Sequence, residues 1–257
     1  MLNTIIGTSL AVWIYVSIWF IVSIIIKRND VADIAWGPGF IVVAGVALIT
    51  NHNYVFSSVL VSLLITIWGV RLATHIGARN IKKSEDSRYK IWRDSWGKWF
   101  IPRSYLQVFI LQGLLMLVIS APVLLIIHYA NSGTMPLILL GLFIWTFGFM
   151  FESSADQQLA KFLKTKNKKH KIMDSGLWRY SRHPNYYGEL VQWWAIGICA
   201  LSVSYGYIGL IGPAVISFLI IRVSGIPMLE KKHLDDKDYI AYRSRTSILI
   251  PKRPRQG

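Results

Sequence analysis

Seven apolar stretches, interrupted by polar ones, run along the chain at 4–26, 34–50, 55–76, 105–130, 136–151, 188–203 and 205–224. A helix of about 20 apolar residues crosses the hydrocarbon core of a bilayer. The pattern therefore predicts an all-α polytopic membrane protein of about seven transmembrane helices, the second, fifth and sixth being short. The first stretch has no basic residue before it and no small-residue cleavage site before Lys27 and Arg28, so it reads as a retained helix rather than a signal peptide. Gly37-Pro38-Gly39 predicts an irregular or broken start to the second stretch, which a membrane tolerates only where protein or a cavity satisfies the freed backbone groups. With no internal repeat and no low-complexity linker, residues 1–257 read as one membrane-embedded domain.

The charges test this division independently, because cytoplasmic loops concentrate Lys and Arg. Of the 28 basic residues, 26 follow the first, third, fifth and seventh stretches. The intervening loops "NHNY", "NSGTM" and "SVSY" hold none. The expected orientation places the N-terminus outside and the C-terminus in the cytoplasm. Composition agrees: 53% of residues are hydrophobic and eleven are tryptophan, too apolar for an ordinary soluble domain. The net charge of +15 belongs to loops between membrane segments, where topology and anionic headgroups account for it, so nucleic acid is not an expected partner. Cys199 is the only cysteine, which rules out an intramolecular disulfide and argues against a thiolate metal site; no metal is expected.

Two basic residues lie inside apolar stretches, Arg71 and Arg222. A charge at membrane depth is costly unless paired or facing a wet cavity. Arg71, His75 and Arg79 are spaced four apart and share one helical face. Two readings fit: a basic stripe lining a cavity, or arginines snorkelling to the headgroups with His75 at the interface. In "KRNDVADIAWGPGF", Asp30 can balance Lys27 and Arg28, whereas Asp33, deeper and followed by Trp36, is the better candidate for a cavity, with Arg71 as its expected counter-ion. After the fifth stretch, "FESSADQQLAKFLK" carries Glu152, Asp156 and Lys161, either a ligand-reading helix or a solvated amphipathic linker.

The most specific stretch is "SGLWRYSRHPNYYGELVQWW", residues 175–194. Arg179, Arg182 and His183 precede Pro184, which suits the first position of a helix. Asn185 and Glu189 then share a face near that N-terminus, where backbone N–H groups favour anions. No metal-ligand spacing and no Ser/His/Asp or Walker-type arrangement appears. The combination fits a large anionic cofactor approached from the cytoplasm, with Glu189 assigned to structure through a pair with Arg182 or Arg71.

"GLWRYSRHPNYYGELVQWW" with "PMLEKKHLDDKDYIAYRSRTSILIP" resembles the C-terminal region of the steroid 5-alpha-reductase family, and "DVADIAWGPGF" resembles its bacterial branch. The resemblance implies a membrane reductase of the bacterial inner membrane that uses NADPH and acts on an activated C=C bond of a lipophilic, sterol-like or isoprenoid enone. It implies cofactor contacts at Asp156, Arg179, Arg182, His183, Asn185, Arg222, Tyr239, Tyr242 and Arg245, within a cofactor-binding part at about 145–257. In the family a glutamate and a tyrosine polarise the substrate ketone. Here the acid is Asp33 and the tyrosine position falls on Trp68, with His75 as a further donor and Trp36 and Arg71 beside the substrate. The asparagine four residues before the family's aspartate is Glu152 in this chain. The Arg-His-Pro-x-Tyr-x-Gly run also occurs in isoprenylcysteine carboxyl methyltransferases and phospholipid methyltransferases. S-adenosylmethionine with a lipid or prenylcysteine-type substrate is therefore the alternative. Those enzymes carry two adjacent glutamates after the last helix, where this chain has Glu230-Lys231.

Overall fold

The computed structural model describes residues 1–80, 84–131, 135–165, 172–231, 233 and 235–255. The basic residues Lys82, Lys83, Lys166, Lys168, Lys169, Lys171 and Lys232 lie outside them. All regular structure among the described residues is helical, apart from one isolated parallel bridge between Ser181 and Ser247. Among the described residues six helices are long and apolar enough to cross a membrane: Leu2–Ile26, Val31–Asn51, Phe56–Asn80, Arg88–Ile119, Met135–Lys164 and Gly206–Lys231. The segment expected at 188–203 is the helix Pro184–Ala200, whose 17 residues are fewer than the usual complement for a crossing.

The chain divides into two compact units, the first comprising Met1–Met135 with Ala200–Gly212 and the second Pro136–Cys199 with Pro213–Gly257. In the first, α1 (Leu2–Ile26), α2 (Val31–Asn51) and α3 (Phe56–Asn80) pack side by side. Along α1 the isoleucines and leucines are mostly exposed, for example Leu2, Ile6, Leu10, Ile18 and Ile25. An apolar surface of that extent needs lipid rather than water around it. α2 runs unbroken through Gly37-Pro38-Gly39, contrary to the expected break. Pro38 removes one backbone donor and its ring crowds the preceding turn. The Tyr15 hydroxyl on α1 donates to the Ala35 carbonyl at 2.8 Å, so a neighbouring helix supports the turn that the proline loosens. Gly37 serves a second purpose: a Cβ there would stand 2.5 Å from the Gly69 carbonyl of α3, so the glycine lets the two backbones touch.

The stretch after α3 is no plain basic loop. Asp86 caps α4 (Ser87–Trp96) by accepting from the Arg88 amide at 2.9 Å. The chain continues through α5 (Phe100–Ser104), a π-helical stretch at Tyr105–Ile110, α6 (Leu111–Ile119) and α7 (Ala121–Tyr129).

The second unit is built on α8 (Met135–Thr165) and α9 (Pro184–Ala200). Added Cβ atoms would meet the Gly188 carbonyl at 2.8 Å from Gly148, and the Glu152 amide nitrogen at 2.6 Å from Gly188. Small residues thus let α8 and α9 cross at backbone distance. After α10 (Ile211–Phe218), which straddles the boundary between the units, come a π-helical turn at Leu219–Val223, α11 (Ile226–Lys231), α12 (Lys237–Arg245) and a tail to Arg255.

Candidate functional site

In the second unit the expected residues separate into three neighbouring groups. The first is a buried hub on Glu230. Arg182 donates through Nη1 to Oε2 at 2.5 Å, the Tyr239 hydroxyl donates to Oε1 at 2.6 Å, and His183 Nε2 lies 3.0 Å from the same oxygen. Arg182, His183, Glu230 and Tyr239 are all buried. Arg182 therefore takes its partner from α11, not from Glu189, one of the two pairings expected for that glutamate. Such a carboxylate, with three polar groups converging on it, holds the "RHP" turn to the start of α12. Burial pushes the Tyr239 and Tyr242 phenols above the usual tyrosine range, reinforced at Tyr239 by the Glu230 carboxylate and at Tyr242 by the adjoining Tyr239. Both remain donors at neutral pH. Tyr242 donates to the Trp178 carbonyl at 2.5 Å.

The second group lies where α8 meets α9. Asn185 donates through Nδ2 to Asp156 Oδ1 at 3.1 Å, and one turn away Gln192 donates to Glu152 Oε2 at 2.6 Å. Glu152 and Asp156 are buried, so this part of α8 is no solvated linker; Asn185 is half-buried.

The third group lines a groove of about 740 Å³ that contains Arg179 and Arg245. Arg245 pairs with Asp174 at 2.6 Å. Arg222 sits exposed on the turn Leu219–Val223 and forms no hydrogen bond with any of these groups.

In the first unit Asp33 is the polar centre, with partners that the sequence did not indicate. Arg88 Nη2 donates to Oδ2 at 2.7 Å and the Tyr89 hydroxyl donates to Oδ1 at 2.9 Å. Arg71, the expected counter-ion, is displaced in that role because α4 returns along the chain ends of α1 and α2 and reaches Asp33 first. Asp30 does pair with Arg28, doubly, at 3.0 and 2.7 Å. Glu85 accepts from the Asn29 amide at 2.7 Å and from Arg93 at 3.0 Å, so α4 is clamped to the α1–α2 turn at several points. Trp68 is 1% exposed with its ring edge-on to Phe40 at 5.5 Å, and Trp36 also packs edge-on with that phenylalanine at 5.1 Å. Arg71 and His75 are half-buried on consecutive turns of α3, and Arg79 beyond them is exposed. His75 is not among the hydrogen-bond partners of Asp33.

Sequence reasoning missed Glu230, Arg88 and Tyr89. Glu230 read only as a departure from a two-glutamate pattern. The other two were signalled by Asp86, a capping residue ahead of "SRYKIW", which marks a helix start inside an apparently basic loop.

The arrangement can do two things chemically. The second unit offers an amide–carboxylate pair and guanidinium groups on a groove, a set suited to a ligand with both neutral hydrogen-bonding heads and phosphates. The first offers a phenol and a guanidinium sharing one carboxylate, a set suited to polarising an oxygen. No curated protein and no solved structure matches the chain. A family model does match, over residues 19–246 and so across nearly all the elements described. On that match the chain belongs to the family described as "Protein of unknown function (DUF1295)".

Proposed function

We propose that the protein is an integral membrane reductase of the bacterial inner membrane, of the steroid 5-alpha-reductase type, that uses NADPH to saturate the activated C=C bond of a lipophilic enone. The observation that carries this reading is the Asn185–Asp156 pair at 3.1 Å in the same compact unit as the arginine-lined groove. NADPH supplies the hydride when bound, and the protein supplies orientation and electrostatics. Asp156 fixes the Asn185 amide by accepting one of its protons. That would leave the amide oxygen to accept from the cofactor's carboxamide. Arg179 and Arg245 take the phosphates. Arg182, His183, Tyr239 and Tyr242, all engaged internally, act as the frame that holds the "RHPN" turn at the start of α9.

On the substrate side, Tyr89 is the proposed donor to the carbonyl oxygen, its one proton turning from Asp33 to the ketone when substrate binds. A phenol can both donate a hydrogen bond and pass a proton, which the Trp68 indole cannot. Asp33 and Arg88 fix the phenol and balance charge as the oxygen becomes anionic. The exposed apolar helices supply a route for a lipophilic substrate from the bilayer.

The test is a thermal-shift titration of the detergent-purified protein with NADPH, NADH and S-adenosylmethionine in parallel. A ligand that binds only the native state raises its apparent stability by mass action. Stabilisation by NADPH is the expected result. Stabilisation by S-adenosylmethionine alone would replace the reductase by a membrane methyltransferase of a lipid or prenylcysteine-type substrate.

A further inference from the structure

The groove that holds Arg179 and Arg245 has a wall that neither the motif nor the resemblance indicated. The tail after α12 turns back and runs beside the 174–180 loop, bringing Arg253 and Arg255 into the lining. Among the described residues four arginines therefore face one concavity that contains a single carboxylate, Asp174. Asp174 is already committed to Arg245. Among the described residues Arg179, Arg253 and Arg255 have no ionic partner. Like charges gathered in a concavity repel one another, and a bound anion removes that cost.

The tail is fixed rather than draped. The Arg182 amide donates to the Ser247 carbonyl at 2.8 Å and the Lys252 amide to the Tyr180 carbonyl at 3.0 Å. The Ser181 hydroxyl donates to the Leu249 carbonyl at 2.7 Å. The Arg255 amide donates to the Arg245 carbonyl at 3.0 Å, closing the groove at its far end. Pro251 and Pro254 restrict the backbone on either side of Arg253. Opposite, Gly176 turns the loop at φ +60°, packed so that a Cβ would stand 2.5 Å from the Gln158 side-chain oxygen. Among the described residues every basic one lining the groove is arginine, though lysine is the more common of the two in the chain, 15 against 13. A segment that merely meets anionic headgroups gains as much from lysine. The planar guanidinium fork is the group that matches phosphate oxygens in pairs.

We propose that this groove is a seat for a phosphate monoester dianion, and that Arg253 and Arg255 decide between a phosphorylated ligand and its unphosphorylated counterpart. The phosphate can be carried by a nucleotide or by a lipid headgroup. The nucleotide source rests on the reductase reading above; the seat itself rests only on the groove.

The experiment uses the full chain and its R253A/R255A variant, with R253K/R255K as a second variant that keeps the charge and loses the fork. Equal thermal melting midpoints without ligand confirm that the three fold alike. One arm measures the affinity of each for NADPH and NADH, which differ by a single phosphate monoester. The other measures retention of phosphatidate, a monoester, against phosphatidylglycerol, a diester, by native mass spectrometry from nanodiscs. For a nucleotide, wild type prefers NADPH at least ten-fold, R253A/R255A loses that preference while its NADH affinity stays unchanged, and R253K/R255K falls between. For a lipid, neither dinucleotide discriminates, and selective retention of phosphatidate disappears in R253A/R255A; the seat then stands and the NADPH reading falls. NADPH binding that is equal in wild type and R253A/R255A, with no arginine-dependent lipid retention, overturns the seat and leaves the reductase reading intact. No arginine-dependent binding in either arm likewise overturns it.

Discussion

Glu230 accepts from Arg182 and Tyr239 and lies against His183, so removing it strands a buried guanidinium. Glu230→Ala is expected to cost about 3–5 kcal/mol, the penalty for breaking a buried pair by deleting one partner, and denaturant unfolding in detergent checks it. Glu230→Gln keeps the hydrogen-bonding shape and should cost less. Asn185→Ala has a different signature. It removes one ligand hydrogen bond, so NADPH binding should weaken by about ten-fold, while the loss of the donor to Asp156 lowers the melting midpoint without ligand by less than Glu230→Ala does; unchanged affinity would remove Asn185 from the cofactor site. Tyr239 and Tyr242 carry a pH dependence. Their folded-state pKa values are raised, so unfolding exposes phenols that ionise more easily. Their contribution is fully present below the unfolded value of about 10 and is lost as pH rises beyond it. Stability plotted against pH should bend downward above about 10, and less so in Y239F/Y242F. Arg179, Arg182, His183 and Asn185 were singled out as candidates because they sit in one contiguous stretch, 179–185. The hub was not, because its carboxylate comes from 47 positions further on, where nothing local marks it.

Helix positions followed from hydropathy, since length and apolarity decide them almost alone. Helix contacts did not. The crossing of α8 and α9 depends on Gly148 and Gly188, and glycines in an apolar run look alike whether they face a neighbour or lipid. The structure separates them. Gly188→Ala places a methyl 2.6 Å from a backbone nitrogen, whereas Gly45→Ala on α2 meets nothing within 4 Å. The first is expected to lose most folded protein in size-exclusion chromatography. The second is expected to be neutral or slightly stabilising, by less than about 1 kcal/mol. α4 was the element that charge counting hid. Its basic residues satisfy the positive-inside pattern, but Arg88 and Arg93 spend their charge on Asp33 and Glu85, and loop composition cannot distinguish a paired arginine from a solvated one.

For the molecule as a whole, the arginine and lysine pattern requires an odd number of crossings, and six long helices are an even number. α9 resolves the parity if its 17 residues, about 25 Å of helix, complete a seventh. The expected outcome is a fluorescent C-terminal green fluorescent protein fusion in the cytoplasm, together with an N-terminal epitope reached by antibody from the opposite side of the membrane. Both ends on one side would make α9 a helix that enters without crossing. Charge thus carries the orientation and hydropathy the segments. The grouping of residues within each unit needed the fold.

The tail that folds back over the "WRYSR" loop also makes the last few residues a reporter. A carboxypeptidase working inward from the C-terminus must peel Arg255 from the Arg245 carbonyl and then Lys252 from that of Tyr180. Digestion should therefore stall in steps, and an anion gripping the arginines should lengthen the stall, so that occupancy can be read from the mass of the trimmed chain.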